Sequence, residues 1–344
     1  GYPWFNSWGR DTFIALEGLT LKTNRFADAR NILLQFAKHV KNGLVPNVID
    51  ENGGAAYNSV DSSLWYIEAF YKYYKYTNDT DFLKENYIVL RDIIDAYKNG
   101  TDNNIYMDED GLISAGNEHT QLTWMDAKVG DVIPTPRYGK AVEINALWYN
   151  ALRIMSYFSR VLNYEFDDNL HIKVKASFEK FYNGNGLYDT IEPENSQIRP
   201  NQIMAVGLSF PVLTGEKAVE VLNVVTEKLF TNKGLKTLSS DDSKYTNYQL
   251  DIFKDAVNVV NENFGTIKYV HSSASSGLLK FDDGVSNLVR PGIIQYGYEP
   301  FEGTKDLINI EPICNLKTKI TFLKKVNKGE AVSYSQKFIA VRDM

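Results

Sequence analysis

The chain has 344 residues, with Lys plus Arg 37 against Asp plus Glu 43 for a net charge of -6, and an aromatic fraction of 13%. No strong positive field exists to gather phosphates, so nucleic acid is excluded as the expected partner. The single Cys314 has no partner within the chain, and neither a basic-apolar leader nor an uninterrupted membrane-length apolar run is present, which together lead us to expect a soluble cytoplasmic protein that meets no membrane.

The length admits one large domain or two ordinary ones. The chain opens GYPWFNSWGRDTFIALEGL, where Trp4 and Trp8 bracket an Asn-Ser pair and Arg10-Asp11 leads into an apolar helical pattern. Two readings stand side by side: a surface ion pair at a helix start, or a polar site with aromatic walls for a ligand rich in hydroxyls. In FADARNILLQFAKHV the apolar residues Phe26, Ala29, Leu33, Phe36 and Val40 recur at three-to-four spacing, and SSLWYIEAFYKYYKY repeats the pattern with Leu64, Ile67, Tyr71 and Tyr74. DFLKENYIVLRDIIDAYKNG continues it, with a capping region expected at Thr80/Asp81 and a stop at Gly100. A further helix carries Leu147, Ala151, Ile154 and Phe158, and SFEKFYNGNG and EKAVEVLNVVTEKLF supply two more. The links NVIDENGGAAYNSVD and MDEDGLISAGNEHTQLTWMDAKVGDVIPTPRYGK are long and rich in Gly, Asp and Asn. A simple bundle favours shorter links, so helical hairpins are expected, with long loops that converge on one face and build a site there.

Within those loops Asp126 stands beside Trp124, an apolar neighbour that would desolvate the carboxyl group; the alternative is a turn-capping carboxylate or one paired with Lys128. Glu143 is placed on the polar face of a helix beginning near Tyr138, either as a site carboxylate or as an ordinary solvated or ion-paired residue. Hydrolysis of a glycosidic bond needs a proton for the leaving group, and inversion needs a second carboxylate to activate water. His119 has no Cys or His at metal-site spacing, so no metal is expected. Trp65 and Trp148 fall on helical faces and are expected in the core.

The segments GYPWFNSWGRDTFIALEGL, YNSVDSSLWYIEA, LTWMDAKVG, TPRYGKAVEINALWYNAL and RPNQIMAVGLSFPVL resemble, in order, the amylo-alpha-1,6-glucosidase domain of glycogen debranching enzymes, over about residues 1 to 240. The resemblance implies a mainly α fold, a partial (alpha/alpha)6 toroid of glycosidase type, with about eight of the toroid's twelve helices. It implies a branched alpha-glucan or limit dextrin as partner and inverting hydrolysis of alpha-1,6-linked glucose without a cofactor. By this resemblance Asp126 is the general acid, Arg10 and Asp11 hydrogen-bond the nonreducing glucose, Trp8 and Trp124 wall it, and Asp61 and Glu143 line the cleft. Removal of Asp11 is expected to leave Arg10 poorly paired. The family's late-helix base has no matching position after residue 240, so turnover by this chain is expected to be absent or severely reduced. A noncatalytic glucan-binding protein is the companion reading.

Beyond SSDDSKYTNYQ the pattern changes, with IKYVH a strand candidate and LKTKITFLKKVNKGEAVSYSQKF rich in β formers. From about Tyr245 to the end, FGTIKYVHSSASSGLL, NLVRPGIIQYGYEP and KKVNKGEAVSYSQKF resemble alanine racemase in order and spacing. A second segment, 245–344, of mixed α/β type is therefore expected after the 1–240 domain. The resemblance implies pyridoxal phosphate, with Ser275 and the amides of Gly292 and Ile293 as its phosphate cradle, Arg290 at the pyridine nitrogen and Tyr334 as general acid/base. Ala274 stands where the family has Asn, and the Schiff-base Lys belongs to an earlier region of the family, so no racemisation is expected here.

Overall fold

The computed structural model describes residues 6–311 except 129, 131, 132, 168, 185, 232, 233, 240, 241, 273–278, 280–283, 301 and 302, and beyond them 325, 327–329, 331, 332 and 338–340. The chain forms two compact units, Gly1–Asp242 and Ser243–Met344.

In the first unit the helices alternate between two layers. Helices α1 (Gly9–Leu16, extended by a π-helical segment Glu17–Leu21), α3 (Ser62–Thr77), α5 (Val142–Leu162) and α7 (Met204–Gly207) pack one against the next as an inner layer. Helices α2 (Phe26–Ala37), α4 (Thr80–Asn99), α6 (Leu170–Phe178) and α8 (Glu216–Lys228) pack outside them. These are consecutive α/α hairpins, the mainly helical, partial-toroid architecture expected.

Residue patterning explains the layering. Helix α4 buries one stripe, Phe82, Leu83, Tyr87, Leu90, Ile94 and Tyr97, at three-to-four spacing, as a helix with one wet face must. Helix α5 is instead buried on every side from Val142 to Leu152, because an inner helix has neighbours all round. Aromatic rings join the layers: Phe70 of α3 stacks on Phe82 of α4 at 5.1 Å and meets Phe158 of α5 edge-on at 6.1 Å. Such pairs add about 0.5 to 1.5 kcal/mol each beyond their buried area.

Short antiparallel pairs brace the loops. Strands β1 (Ser7–Trp8), β2 (Val48–Ile49) and β3 (Ala55–Ala56) form one small sheet with Trp8 opposite Val48. Tyr106–Met107 (β4) pairs with Ile113–Ser114 (β5), Lys140–Ala141 (β6) with Thr190–Ile191 (β7), and Phe230–Thr231 (β8) with Gly234–Leu235 (β9). The β6–β7 pair moves the start of α5 to Val142, four residues later than the spacing suggested, because Lys140 and Ala141 are held in extended pairing. Helix α4 is capped by Asp79, whose carboxylate accepts from the Phe82 amide at 3.0 Å, rather than by Thr80/Asp81.

The second unit contains helix α9 (Ser243–Phe264), a 3-10 turn Ile293–Tyr296, a short helix Thr304–Leu307 and the antiparallel pair Ala331–Val332 and Phe338–Ile339. IKYVH is not a strand. Its Val270 amide donates to the Asn287 side chain at 2.8 Å and its carbonyl accepts from the amides of Asn287 and Leu288, so side-chain and loop partners replace a ladder. Among the described residues no helix is long and apolar enough to cross a membrane.

Candidate functional site

A cleft of about 510 Å³ opens among the inner-helix ends and the long loops of the first unit. Trp8, Arg10, Asp11, Asp61, Trp124, Asp126 and Glu143 all line it. They come from the start of α1, the loop into α3, the 122–128 loop and the first turn of α5. Chain segments far apart in sequence thus supply one wall each.

Gly9 makes the first wall possible. Its amide donates to the Asn47 carbonyl at 2.7 Å, and any Cβ at this position would overlap the Pro46 carbonyl oxygen. A larger residue would push α1 away and carry Trp8 and Arg10 with it.

Arg10 is buried at the base of the cleft. Its Nε donates to Asp61 Oδ2 at 2.6 Å and its Nη2 to Asp61 Oδ1 at 2.8 Å, a bidentate pair, while Nη1 reaches Asp126 Oδ2 at 3.3 Å. Asp61 Oδ1 also accepts from Ser59 Oγ at 2.5 Å. Burial pulls the guanidinium pKa down, but the charges and hydrogen bonds of Asp61 and then Asp126 outweigh it and raise it above its ordinary value. Arg10 therefore pairs with Asp61 and Asp126, and the adjacent Asp11 lies exposed on the wall. Loss of Asp11 would not strip Arg10 of its partners, contrary to the sequence-based expectation. Asp126 is half-exposed and meets Arg10 rather than Lys128.

Glu143 is buried rather than solvated. Arg137 grips it bidentately, through Nη1 to Oε1 and through Nη2 to Oε2 at 2.6 Å. The same guanidinium donates Nε to Asp189 Oδ2 at 2.7 Å and Nη2 to Asp189 Oδ1 at 3.1 Å. Burial raises the Glu143 pKa against the opposing pull of Arg137, with Asp189 adding to the rise. The Arg137 pKa is raised by both carboxylates despite its burial.

Three indoles supply the aromatic surface. Trp8 and Trp124 are about two-fifths exposed, at 41% and 38%, so each presents a free face. Trp124 is tethered at its other edge, where Nε1 donates to Asn201 Oδ1 at 2.7 Å. Trp65 is half-buried and also lines the cleft, whereas Trp148 is fully buried and donates to the Gly111 carbonyl at 3.1 Å. Trp65 thus packs against the core as expected and in addition presents part of its ring to the cleft. Sequence reasoning also missed Pro200, Asn201, Ile203 and Met204, which close the cleft from the 3-10 turn Pro200–Ile203 and the first residue of α7. They lie within RPNQIMAVGLSFPVL, so the segment was noticed without its individual residues.

Of the racemase-like residues, Ser275 and Tyr334 lie outside the described residues, as does Trp4 at the amino end. Arg290 is exposed, and Gly292 and Ile293 open the 3-10 turn. Among the described residues an exposed guanidinium and one turn do not make an enclosed pyridoxal phosphate site. No cluster of three His, Cys, Asp or Glu side chains is placed to hold a metal ion among the described residues.

The inner-helix layer and its aromatic, carboxylate-lined cleft define a protein built of α/α hairpins around one open site. Residues 1–258 match the family model described as amylo-alpha-1,6-glucosidase, and the chain belongs to that family. Residues 218–300 match the model described as alanine racemase, N-terminal domain, so the two matches overlap at 218–258. The glycogen debranching enzyme of Saccharomyces cerevisiae is 27% identical over 333 residues, covering 70% of this chain and 22% of that protein. The alanine racemase of Treponema denticola is 30% identical over 100 residues, covering 29% of this chain and 26% of that protein. The chain thus spans about a quarter of the length of these relatives. A solved rhamnosidase from Klebsiella oxytoca is similar at a TM-score of 0.48 and 13% identity, covering 75% of this chain and 48% of that one.

Proposed function

We propose that the cleft binds the terminal glucose of a branched alpha-glucan and is the acid-bearing part of an alpha-1,6-glucosidase site. The observation that carries this reading is the gathering of Arg10, Asp61 and Asp126 on one side of a cleft walled by Trp8, Trp65 and Trp124. Sugar hydroxyls need charged groups that both donate and accept, and the apolar face of a pyranose needs an aromatic plane. In this reading Arg10, fixed by Asp61, holds sugar hydroxyls and keeps Asp126 at the cleft edge.

Asp126 acts as the general acid, protonating the departing glycosidic oxygen. Inversion then requires a second carboxylate about 6.5 to 9.5 Å away with room for water. Glu143 is committed to Arg137 on both oxygens, so it does not serve as that base. Glucan binding is the activity we assign to the described cleft, with hydrolysis by this chain absent or severely reduced.

Calorimetric titration with maltooligosaccharides and glucose release from a branched limit dextrin test this reading together. Saturable binding weakened by Asp126→Asn supports it. Absence of binding to the folded protein would refute the site, and robust glucose release abolished by Asp126→Asn would show that a working base is present.

A further inference from the structure

Behind Trp124 runs a chain of buried polar contacts that the glucosidase reading does not use. Asn201 Oδ1 accepts the indole N–H of Trp124 at 2.7 Å, Asn201 Nδ2 donates to Asp189 Oδ1 at 2.7 Å, and Arg137 holds Asp189 by Nε at 2.7 Å. Asn201, Asp189 and Arg137 are each at least 97% buried.

We propose that Asp189 is a positioning residue for the cleft: through Asn201 it fixes the ring of Trp124 as a stacking platform for the sugar. The chemistry at both ends of Asn201 permits one orientation of its amide. An indole N–H can only donate, and an ionised carboxylate can only accept. The amide oxygen must therefore face Trp124 and the amide nitrogen must face Asp189. If Asp189 could also donate, the amide would be free to turn, and its nitrogen would then confront the indole N–H donor to donor. Arg137 prevents the carboxylate from turning, since it engages both oxygens. A side chain that is 38% exposed thereby acquires a fixed edge from three buried groups. Pre-setting the ring removes part of the ordering cost of binding. The sugar arm of this inference rests on the glucan-binding reading above, whereas the ring-fixing arm does not.

The test follows the indole N–H signals by nitrogen-edited NMR, with Trp124 identified by its loss in Trp124→Phe. In Asp189→Asn the Trp124 N–H should exchange with solvent about tenfold faster, the size of one lost hydrogen bond. The N–H of Trp148, buried and bonded to Gly111, should keep its rate. Unchanged protection at Trp124 would overturn the proposal, and equal acceleration at Trp148 would assign Asp189 a purely structural role and overturn it as well. Asn201→Leu leaves the ion cluster in place and should reproduce the Trp124 acceleration even if Asp189→Asn does not fold. For maltotriose, Asp189→Asn and Trp124→Phe should each weaken affinity about fivefold, with no further loss in the double variant. Additive losses would refute the route through Trp124. Should the wild-type protein bind no maltooligosaccharide, the glucan reading fails while the exchange rates still decide whether Asp189 fixes the ring.

Discussion

Arg10 and Asp61 meet fork to fork, with Nε 2.6 Å from Oδ2 and Nη2 2.8 Å from Oδ1, and both side chains are shielded from water. Although Asp61 stands at the N-cap of α3, its carboxylate makes no capping bond there. The helix start is used to deliver a charge to α1 instead. The loop before α3 and the first turn of α1 are thereby locked at the base of the cleft, and the chemistry of the site and the packing of two inner helices share one ion pair.

Removing one partner of a buried pair strands the other charge. Asp61→Ala should therefore lower stability by about 3 to 5 kcal/mol, read as a shifted urea midpoint. Asp11→Ala, at an exposed position one residue from Arg10, should change stability by less than about 0.5 kcal/mol. Comparable losses in the two variants would mean that Arg10 depends on Asp11 after all.

The contrast shows what the sequence disclosed and what it withheld. Helices α2, α3 and α4 were legible because their apolar residues recur at helical spacing, and the long Gly- and Asp-rich links pointed to the loops that build the cleft. The partners of Arg10 were not legible, since Asp61 lies 51 positions away and Asp126 116 away, distances that only folding closes. Arg137 and Asp189 carried no local signal for the same reason, being 52 positions apart. The core contact of Trp65 was legible from its place on α3, but its second contact with the cleft was not, since the facing residues Asp126 and Asn201 come from distant parts of the chain. IKYVH has strand-forming residues, but Asn287 satisfies its backbone from a loop, and composition cannot reveal such a competitor.

Gly139 offers a backbone test of how Glu143 is held. Its φ is +79°, and an added Cβ would overlap the Glu192 carbonyl oxygen. Gly139 also exchanges backbone hydrogen bonds with Ala115, just before β6 leads into α5. Gly139→Ala should cost about 1 to 3 kcal/mol from crowding, with added strain from the left-handed backbone. A melting temperature equal to that of wild type would show that the β6–β7 connection yields easily.

Buried tyrosines set an alkaline limit on stability. Burial raises Tyr66 and Tyr97 well above the ordinary phenol range, and burial followed by the Asp79 hydrogen bond pushes Tyr73 up to about 12. In the unfolded chain a phenol loses its proton near pH 10. Between that value and the raised folded value the native state holds more protons than the unfolded state, so stability is full below about pH 10 and declines as pH rises through the window. Urea midpoints measured from pH 9 to 12 should fall, less steeply in Tyr66→Phe and Tyr97→Phe, since phenylalanine has no proton to lose. A flat profile across this range would contradict the assigned burial.

Trp65 and Trp148 allow binding to be separated from folding, because both indoles belong to inner helices but only Trp65 reaches the cleft. Trp148 is fully buried, stacks on Tyr97 at 6.0 Å and donates to Gly111. Truncating it to Ala removes a large core side chain and should cost about 3 to 5 kcal/mol, whereas Trp148→Phe keeps most of the ring and should leave maltooligosaccharide affinity within about twofold while still lowering stability through the lost N–H contact. Trp65→Ala should do the reverse in kind, with a smaller stability loss and a weakening of sugar affinity of about fivefold or more, because its exposed surface faces the cleft. Calorimetric titration beside urea unfolding on both variants decides the point: if Trp65→Ala binds sugar as wild type does while Trp148→Phe does not, the cleft has been placed on the wrong face of the inner layer.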